Sequence, residues 1–454
     1  MKTFEIEIKN LGPIRDAKFF ASHFNLLCGK NNSGKSMCMH AIFCFLSKWR
    51  NEIHLSSGAD IASKLQKDTR HKFDSLEYVA KLNPALQESA KEFSSHLHLF
   101  LNKSKEQFKD CEVCIQMDSE YIRERLTSSS INVYLSITET SKLVLRKESN
   151  TTEATMLIEN RGDGEFPSRG VINAATNRLL DYLLVETVLP RPYLMTAERS
   201  GSILYGDDLR TNSFLERFSE GSKIIEKGVH NVHYAYPFVR ELRNIWDAQS
   251  KSSSSTVLDI DNSNDAVIKF FGESVALGEY KERDGVIYYK PNKDAREFCL
   301  NEVSTSVRAL MQLDYFVKRT YVEPNLLLMI DEPELNLHPE RQRTLARFLV
   351  LLMKKRGVGI AISTHSDIIV REINTLLAFG VDVQSFSKVM TDYGYDLDEF
   401  LQKDEVACGV VEKGTVETKE SDRGGFAISS FDETYDKINS VQDAIISLWT
   451  EKQE

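Results

Sequence analysis

The stretch GKNNSGKS, residues 29–36, constrains the fold more than any other feature of this chain. It reads G-x-x-x-x-G-K-S, and its flanks matter as much as the pattern. FNLLC (24–28) before it is a short apolar run of strand character, and MCMHAIFCFLSKW (37–49) after it is helical. Glycine at 29 and 34 lets the backbone wrap an anion with its N–H groups. The helix that follows points its positive end at the same anion. The cradle is expected from Gly29, Lys30, Asn31, Asn32, Ser33, Gly34, Lys35, Ser36 and Met37. Lys35 would reach the β- and γ-phosphates of ATP, and Ser36 would bind Mg²⁺. The class that follows is α/β.

A second segment supplies the complement. In LLLMIDEPELNLHPERQ (326–342), Leu326 to Ile330 read as a strand buried on both faces, ending in Asp331 and Glu332. Asp331 would hold the Mg²⁺ through water, and Glu332 would orient and deprotonate the attacking water. A helix is expected from Pro339, with Leu345, Phe348, Leu349 and Leu352 on one stripe and Gly357 as its stop. A further buried strand, VGIAIS (358–363), leads to THSD (364–367), which puts His365 at a third strand tip. Phe4, Ile6 and Ile8 alternate with Glu5 and Glu7, as in a strand with one buried face.

Length and charge narrow the function classes. With 454 residues, more than one domain is expected. A formal net charge of −10 speaks against a protein that works mainly by gripping nucleic-acid backbone. No apolar run is long enough to span a bilayer, and MKTFEIEIKN has no apolar signal region. A cytoplasmic chain is the expectation, and seven irregularly spaced cysteines suit a reducing compartment.

The glycine-rich loop, the strand ending in Asp331-Glu332 and the strand-tip histidine together resemble the ABC-type ATPase superfamily. The wording LLCGKNNSGKS, IDEPELNLHP and ISTHS is similar to its soluble branch of OLD-like, RecF-like and anti-phage ATPases. That resemblance covers residues 1–48 and 300–380. It implies an ATPase head of mixed sheet, helices and an antiparallel subdomain, carrying a large, mainly helical insertion. It implies ATP hydrolysis with His365 sensing the γ-phosphate, so that Glu332, Lys35 and His365 are the catalytic set and Ser36 and Asp331 the metal ligands. It also implies a homodimer, since ATP in that superfamily is sandwiched against a serine-rich signature of the second subunit. EVSTSVRAL (302–310) stands at the signature's place, with Ser304, Thr305, Ser306 and Arg308 as trans contacts. The family usually has glycine where Ser306 stands, which implies slow turnover. Asn336 to His338 match the loop that meets the partner's signature.

Four segments are expected: the front of the head (1–48), an insertion (49–300), the back of the head (301–380) and a C-terminal hairpin and helix (381–454). Within the insertion a helix is expected over 84–109 and short strands over 112–160. Another helix is expected over 171–188, followed by PYLMTAERSG (192–201), with Arg199 near the nucleotide, at the dimer interface or in a structural ion pair. Helices are expected over 212–249, and SKSSSSTV (250–257) is low in complexity. YKERDGVIYY (280–289) carries a D-G hairpin signal, and GVVEKGTVE (409–417) reads as a hairpin turning at Lys413-Gly414. A terminal helix is expected over 430–449.

OLD-type nucleases continue into a Toprim domain, whose Asp-x-Asp at a strand tip is missing from the about forty residues that follow GVVEKGTVE (409–417). The anatomy most resembles PtuA-type ATPases of the Septu anti-phage system, which work with an HNH nuclease. ATPases of the PARIS system, paired with a Toprim nuclease, come next. The resemblance implies homodimers and higher oligomers, a separate nuclease effector, and nucleic acid met through that partner. A RecF-like DNA repair ATPase is the alternative.

Overall fold

The computed structural model describes residues 3–55, 58–101, 103–160, 166–199, 265–283, 286–319, 325–421, 425–428 and 439–442. The helices expected over 212–249, the low-complexity segment 250–257 and most of the expected terminal helix lie outside them.

Sixteen strands form three sheets among the described residues. The main sheet has nine strands, in the order β5-β1-β2-β16-β15-β3-β14-β13-β9. Its antiparallel side consists of β5 (Glu112–Met117), β1 (Phe4–Leu11) and β2 (Ile14–Ala21). Its parallel side runs through β15 (Val406–Glu412), β3 (Phe24–Gly29), β14 (Gly359–Thr364), β13 (Leu326–Asp331) and β9 (Arg191–Met195). β16 (Thr415–Lys419) joins the two sides, antiparallel to β15 and parallel to β2. A four-stranded antiparallel sheet, β4-β8-β7-β6, comprises β4 (Arg70–Asp74), β6 (Ile131–Ser136), β7 (Ser141–Lys147) and β8 (Glu153–Asn160). A smaller sheet holds β10 (Gly278–Arg283), β11 (Val286–Pro291) and β12 (Phe298–Cys299).

The unbroken apolar run of β13 follows from its place inside this sheet. Leu327 and Met329 face one apolar core while Leu328 and Ile330 face the other, so both parities must be hydrophobic. The first core is closed by α1 (Lys35–Ser47) and α3 (Val79–Phe100), whose Phe45, Phe93 and Phe100 form an aromatic cluster with Trp49, just beyond α1. Between them lies α2 (Ala59–Asp68), and α4 (Ser119–Ser128) and α5 (Arg169–Asp181) follow. The second core is closed by α6 (Ala266–Phe270), α7 (Thr305–Arg319), α8 (Pro339–Arg356) and α9 (Asp367–Val381), followed by α10 (Val383–Asp392). None of the helices among the described residues is long and apolar enough to cross a membrane. A nine-stranded mixed sheet loaded with helices on both faces is an α/β architecture, as expected.

The structure departs from the sequence expectations in three places. The strands expected over 112–160 do not form one subdomain: β5 pairs with β1 at the edge of the main sheet, α4 intervenes, and only β6 to β8 join β4 in the second sheet. Alternating burial of Val113, Ile115 and Met117 suits either sheet; the partner strand, which sequence does not specify, decides. The helix expected from 84 starts at Val79 and ends at Phe100, so that Pro84 lies inside it as the sixth residue and leaves one i→i−4 hydrogen bond unmade. The hairpin at 406–419 does not stand apart with the tail. It turns as expected at Lys413-Gly414, both at positive φ (49° and 82°), and it fills the middle of the main sheet.

Candidate functional site

The parallel strands set the site by their register. Asp331 on β13 pairs with Ser363 on β14, and Ser363 pairs with Leu27 on β3. The carboxyl ends of three adjacent strands therefore stop level with one another, where an open α/β sheet binds its ligands. Residues 29–34 leave β3 there and enter α1.

Two glycines make the loop possible. Gly29 (φ 149°) lies against β15, where a Cβ would come within 2.6 Å of the Val411 carbonyl oxygen. Gly34 (φ 107°) is the N-cap of α1, where a Cβ would lie 2.8 Å from Ile14. Lys35 is 5% exposed and folds back over the loop, its Nζ donating to the carbonyls of Gly29 (2.9 Å) and Lys30 (2.8 Å). Burial pushes its pKa down, and the carboxylates of Glu332, Asp331 and Glu334 oppose that shift. Ser33 Oγ is buried with no hydrogen-bond partner among the described residues. A stranded hydroxyl, open backbone N–H groups and a lysine at a helix N-terminus fit the phosphates of a nucleotide.

On the acidic side, Asp331 is buried and accepts a hydrogen bond from the Ser363 hydroxyl. It is fixed at the tip of β13, where together with Ser36 it could hold Mg²⁺. Glu332 stands in the left-handed region (φ 50°), a conformation that costs a non-glycine residue about 1–2 kcal/mol. Its N–H donates to the Ser363 carbonyl at 2.9 Å. Its side chain is 26% exposed, so the carboxylate faces the open end of the sheet, where water and phosphate have access.

His365 lies at the tip of β14, with Nδ1 3.7 Å from Glu332 Oε1 and 3.2 Å from Glu334 Oε1. Glu334 was not singled out by sequence reasoning, yet it organises this corner. It is 6% exposed, and its Oε1 accepts from Thr364 Oγ1 (2.8 Å) and from the His365 backbone N–H (2.9 Å). The available signal was a third carboxylate in IDEPE, one residue beyond a proline that forbids helix. Arg199, expected near the nucleotide, at the dimer interface or in a structural ion pair, lies against the acidic turn. Its guanidinium donates to the carbonyls of Thr196 (3.2 Å), Asp331 (3.0 Å), Glu332 (3.0 Å) and Pro333 (3.3 Å). Burial pushes its pKa down to about 10, opposed by Glu334, Asp331, Glu332 and Glu198, so it stays charged at neutral pH. His40, one turn into α1 from Ser36, has a buried Nε2 with no hydrogen-bond partner among the described residues. Burial depresses its pKa while Asp331 and Glu198 oppose the shift.

Lys35, Asp331, Glu332 and His365 thus meet at one end of the sheet, with Ser36 at the start of α1. The side chains of the signature residues share no hydrogen bond with them among the described residues. Ser304 caps α7, receiving the Val307 N–H at 3.5 Å, and its hydroxyl lies 2.9 Å from that of Ser306. Arg308 donates to the carbonyls of Leu300 (3.4 Å) and Val303 (2.6 Å) and reaches Thr305 Oγ1 at 3.4 Å. These bonds all stay within residues 300–308. Asn336 takes a left-handed conformation (φ 63°), and His338 caps α8.

No curated protein matches this chain in sequence. Among solved structures it is similar to the Smc head domain bound to the C-terminal domain of ScpA from Pyrococcus furiosus, at TM-score 0.36 and 12% identity over 97% of this chain and 100% of that one. The SMC head domain from Thermotoga maritima gives TM-score 0.32 and 13% identity over 93% and 100%. At such scores the likeness bears on neither partner nor activity. Residues 1–184 and 210–370 match the AAA ATPase domain family, and both halves of the site lie inside those limits. With the P-loop and the acidic strand tip within that match, the chain belongs to the AAA ATPase domain family and is an ATP-hydrolysing enzyme.

Proposed function

We propose that this ATPase closes as a homodimer around ATP and Mg²⁺ and uses the closed state to control a separate effector. One observation carries the reading: Lys35, Asp331, Glu332 and His365 converge, while the serine-capped start of α7 keeps its bonds to itself. A site with that division is completed by a second copy. Ser36 and Asp331 would hold the Mg²⁺, which neutralises charge on the transferring phosphoryl group. Glu332 orients and deprotonates the water, Lys35 unfolds from its own loop carbonyls onto the β- and γ-phosphates, and His365 reads the γ-phosphate. Ser304, Thr305 and Ser306 of one copy meet the γ-phosphate held by the other, with Asn336 to His338 alongside.

The effector assignment rests on the sequence resemblance to anti-phage ATPases. It is a nuclease, HNH-type first and Toprim-type second, restrained or released by the nucleotide state. The net charge of −10 favours nucleic acid reached through that partner over direct gripping.

Two measurements test this. Glu332→Gln should bind ATP, lose hydrolysis by about a hundredfold or more, and accumulate as an ATP-dependent dimer in light scattering. Co-expression with the neighbouring genes should bring down a stoichiometric nuclease. If the variant stays monomeric with ATP, the composite site is wrong. If the pure chain binds DNA with a steep salt dependence only in ATP and Mg²⁺, the repair alternative replaces the defence reading.

A further inference from the structure

We propose that Arg199 is a positioning residue for ATP hydrolysis: one guanidinium grips the carbonyls of Asp331, Glu332 and Pro333 and so fixes the turn that aims the Glu332 carboxylate. The inference rests on the reading of Glu332 as the water-activating base.

The geometry is specific. β9 lies beside β13 with Met195 opposite Ile330, so the turn after β9 overhangs the turn after β13. Arg199 crosses that gap. Its Nη1 holds Thr196 on its own turn and Asp331 on the other, while Nη2 holds Glu332 and Pro333. Three successive carbonyls leave β13 where ladder pairing stops, and each needs a donor once buried. Glu332 sits between them in a left-handed conformation that only a surrounding lattice of bonds will hold. The Glu332 N–H is fixed by Ser363, and Arg199 together with the Leu335 N–H (3.1 Å) fixes the carbonyl on the other side of the same Cα. With both peptides pinned, the direction of the Cα–Cβ bond is set. A lysine could not substitute, because one ammonium lacks the planar, multi-donor fork that spans carbonyls on two turns.

A second buried arginine shows what a merely structural role looks like. Arg50 donates to the carbonyls of Val185, Leu189 and Pro190 and pairs with Glu186 at 3.0 Å. It ties α1 to the end of the helix that precedes β9, and none of those carbonyls belongs to a residue of the site. Arg50 is therefore the control.

The test compares Arg199→Ala, Arg199→Lys, Arg50→Ala and Glu332→Gln, with the double variant of Arg199→Ala and Glu332→Gln. Melting temperature, ATP affinity by a fluorescent ATP analogue, and kcat and KM per folded molecule are measured. A misplacement of about 1 Å at a reacting group costs on the order of a hundredfold. Arg199→Ala should accordingly lower kcat by about 30–100-fold and Arg199→Lys by about tenfold, with ATP affinity within about threefold of wild type. In the Glu332→Gln background, removing Arg199 should change the residual rate by less than about threefold, because the group it positions is already gone. Arg50→Ala should lower the melting temperature and leave kcat within about twofold. The proposal is overturned if Arg199→Lys keeps wild-type kcat, if ATP affinity falls in step with kcat, or if the double variant loses the full product of the single effects. A Glu332→Gln enzyme that hydrolyses normally would instead refute the base assignment, so the two failures are separable.

Discussion

Replacing Glu334 tests the acidic corner most directly. In Glu334→Ala the Thr364 hydroxyl, on a fully buried residue, and the His365 backbone N–H both lose their acceptor. Each buried donor left unpaired costs about 1–3 kcal/mol, or roughly 2–6 kcal/mol together. That is a large part of the about 5–15 kcal/mol that holds a typical domain folded, and for a chain of this length it lowers the melting temperature by roughly 2–6 °C. Glu334→Gln keeps an acceptor at Oε1 but puts an amide NH₂ at Oε2, which is buried without a partner among the described residues. Its cost should be nearer the single-donor figure of about 1–3 kcal/mol. Both variants also loosen the His365 ring, whose Nδ1 lies 3.2 Å from Glu334 Oε1. With His365 in its proposed role of γ-phosphate sensor, loss of its orientation should lower kcat by about 10–100-fold with ATP affinity nearly unchanged. Thermal melts, nucleotide titration and steady-state hydrolysis read all three. An unchanged melting temperature in Glu334→Ala would refute the hydrogen-bond accounting. A wild-type kcat in both variants would show that Glu334 braces the fold without positioning His365.

Two further outcomes are expected. Gly29→Ala forces a Cβ to within 2.6 Å of the Val411 carbonyl oxygen at a φ of 149°, so the loop or β15 must move; ATP affinity should fall by at least about tenfold, measured with the same fluorescent analogue. The depressed pKa of His40 means that, between its folded value and the ordinary 6.5, the unfolded chain binds more protons than the folded one. Stability is therefore full above about pH 6.5 and declines as the pH falls below it. His40→Gln should flatten that decline in melts between about pH 5 and pH 8.

What the sequence discloses about the site is what is local in the chain. The P-loop, the acidic strand end and the strand-tip histidine are each written in fewer than about ten consecutive residues, because turn chemistry and helix starts are local physics. Glu334 escaped, and Arg199 was left among three alternatives, because their work is done across the fold. Glu334 meets Thr364 and His365 at separations of 30 and 31 residues, and Arg199 meets Asp331 to Pro333 at 132 to 134. No spacing rule links such positions. Strand order fails for the same reason: a strand was legible in EVCIQMD, and nothing in those residues names β1 as its neighbour. The Lys413-Gly414 turn was legible from its two residues, whereas its insertion beside β3 depends on which sheet edge is open.

That insertion bears on how the protein is made. β2 and β3 are separated in sequence by only Ser22 and His23, yet β16 and β15 fill the space between them. Ser22 already binds the Asp404 carbonyl, 382 positions away. While the chain is being synthesised, β2 and β3 emerge early and wait with bare edges, which invite pairing with other strands. The floor under Gly29 does not exist until Val411 has been translated. An interrupted chain thus holds an intact GKNNSGKS with nothing to brace it, and only a polypeptide extended through Lys419 can assemble a working nucleotide pocket.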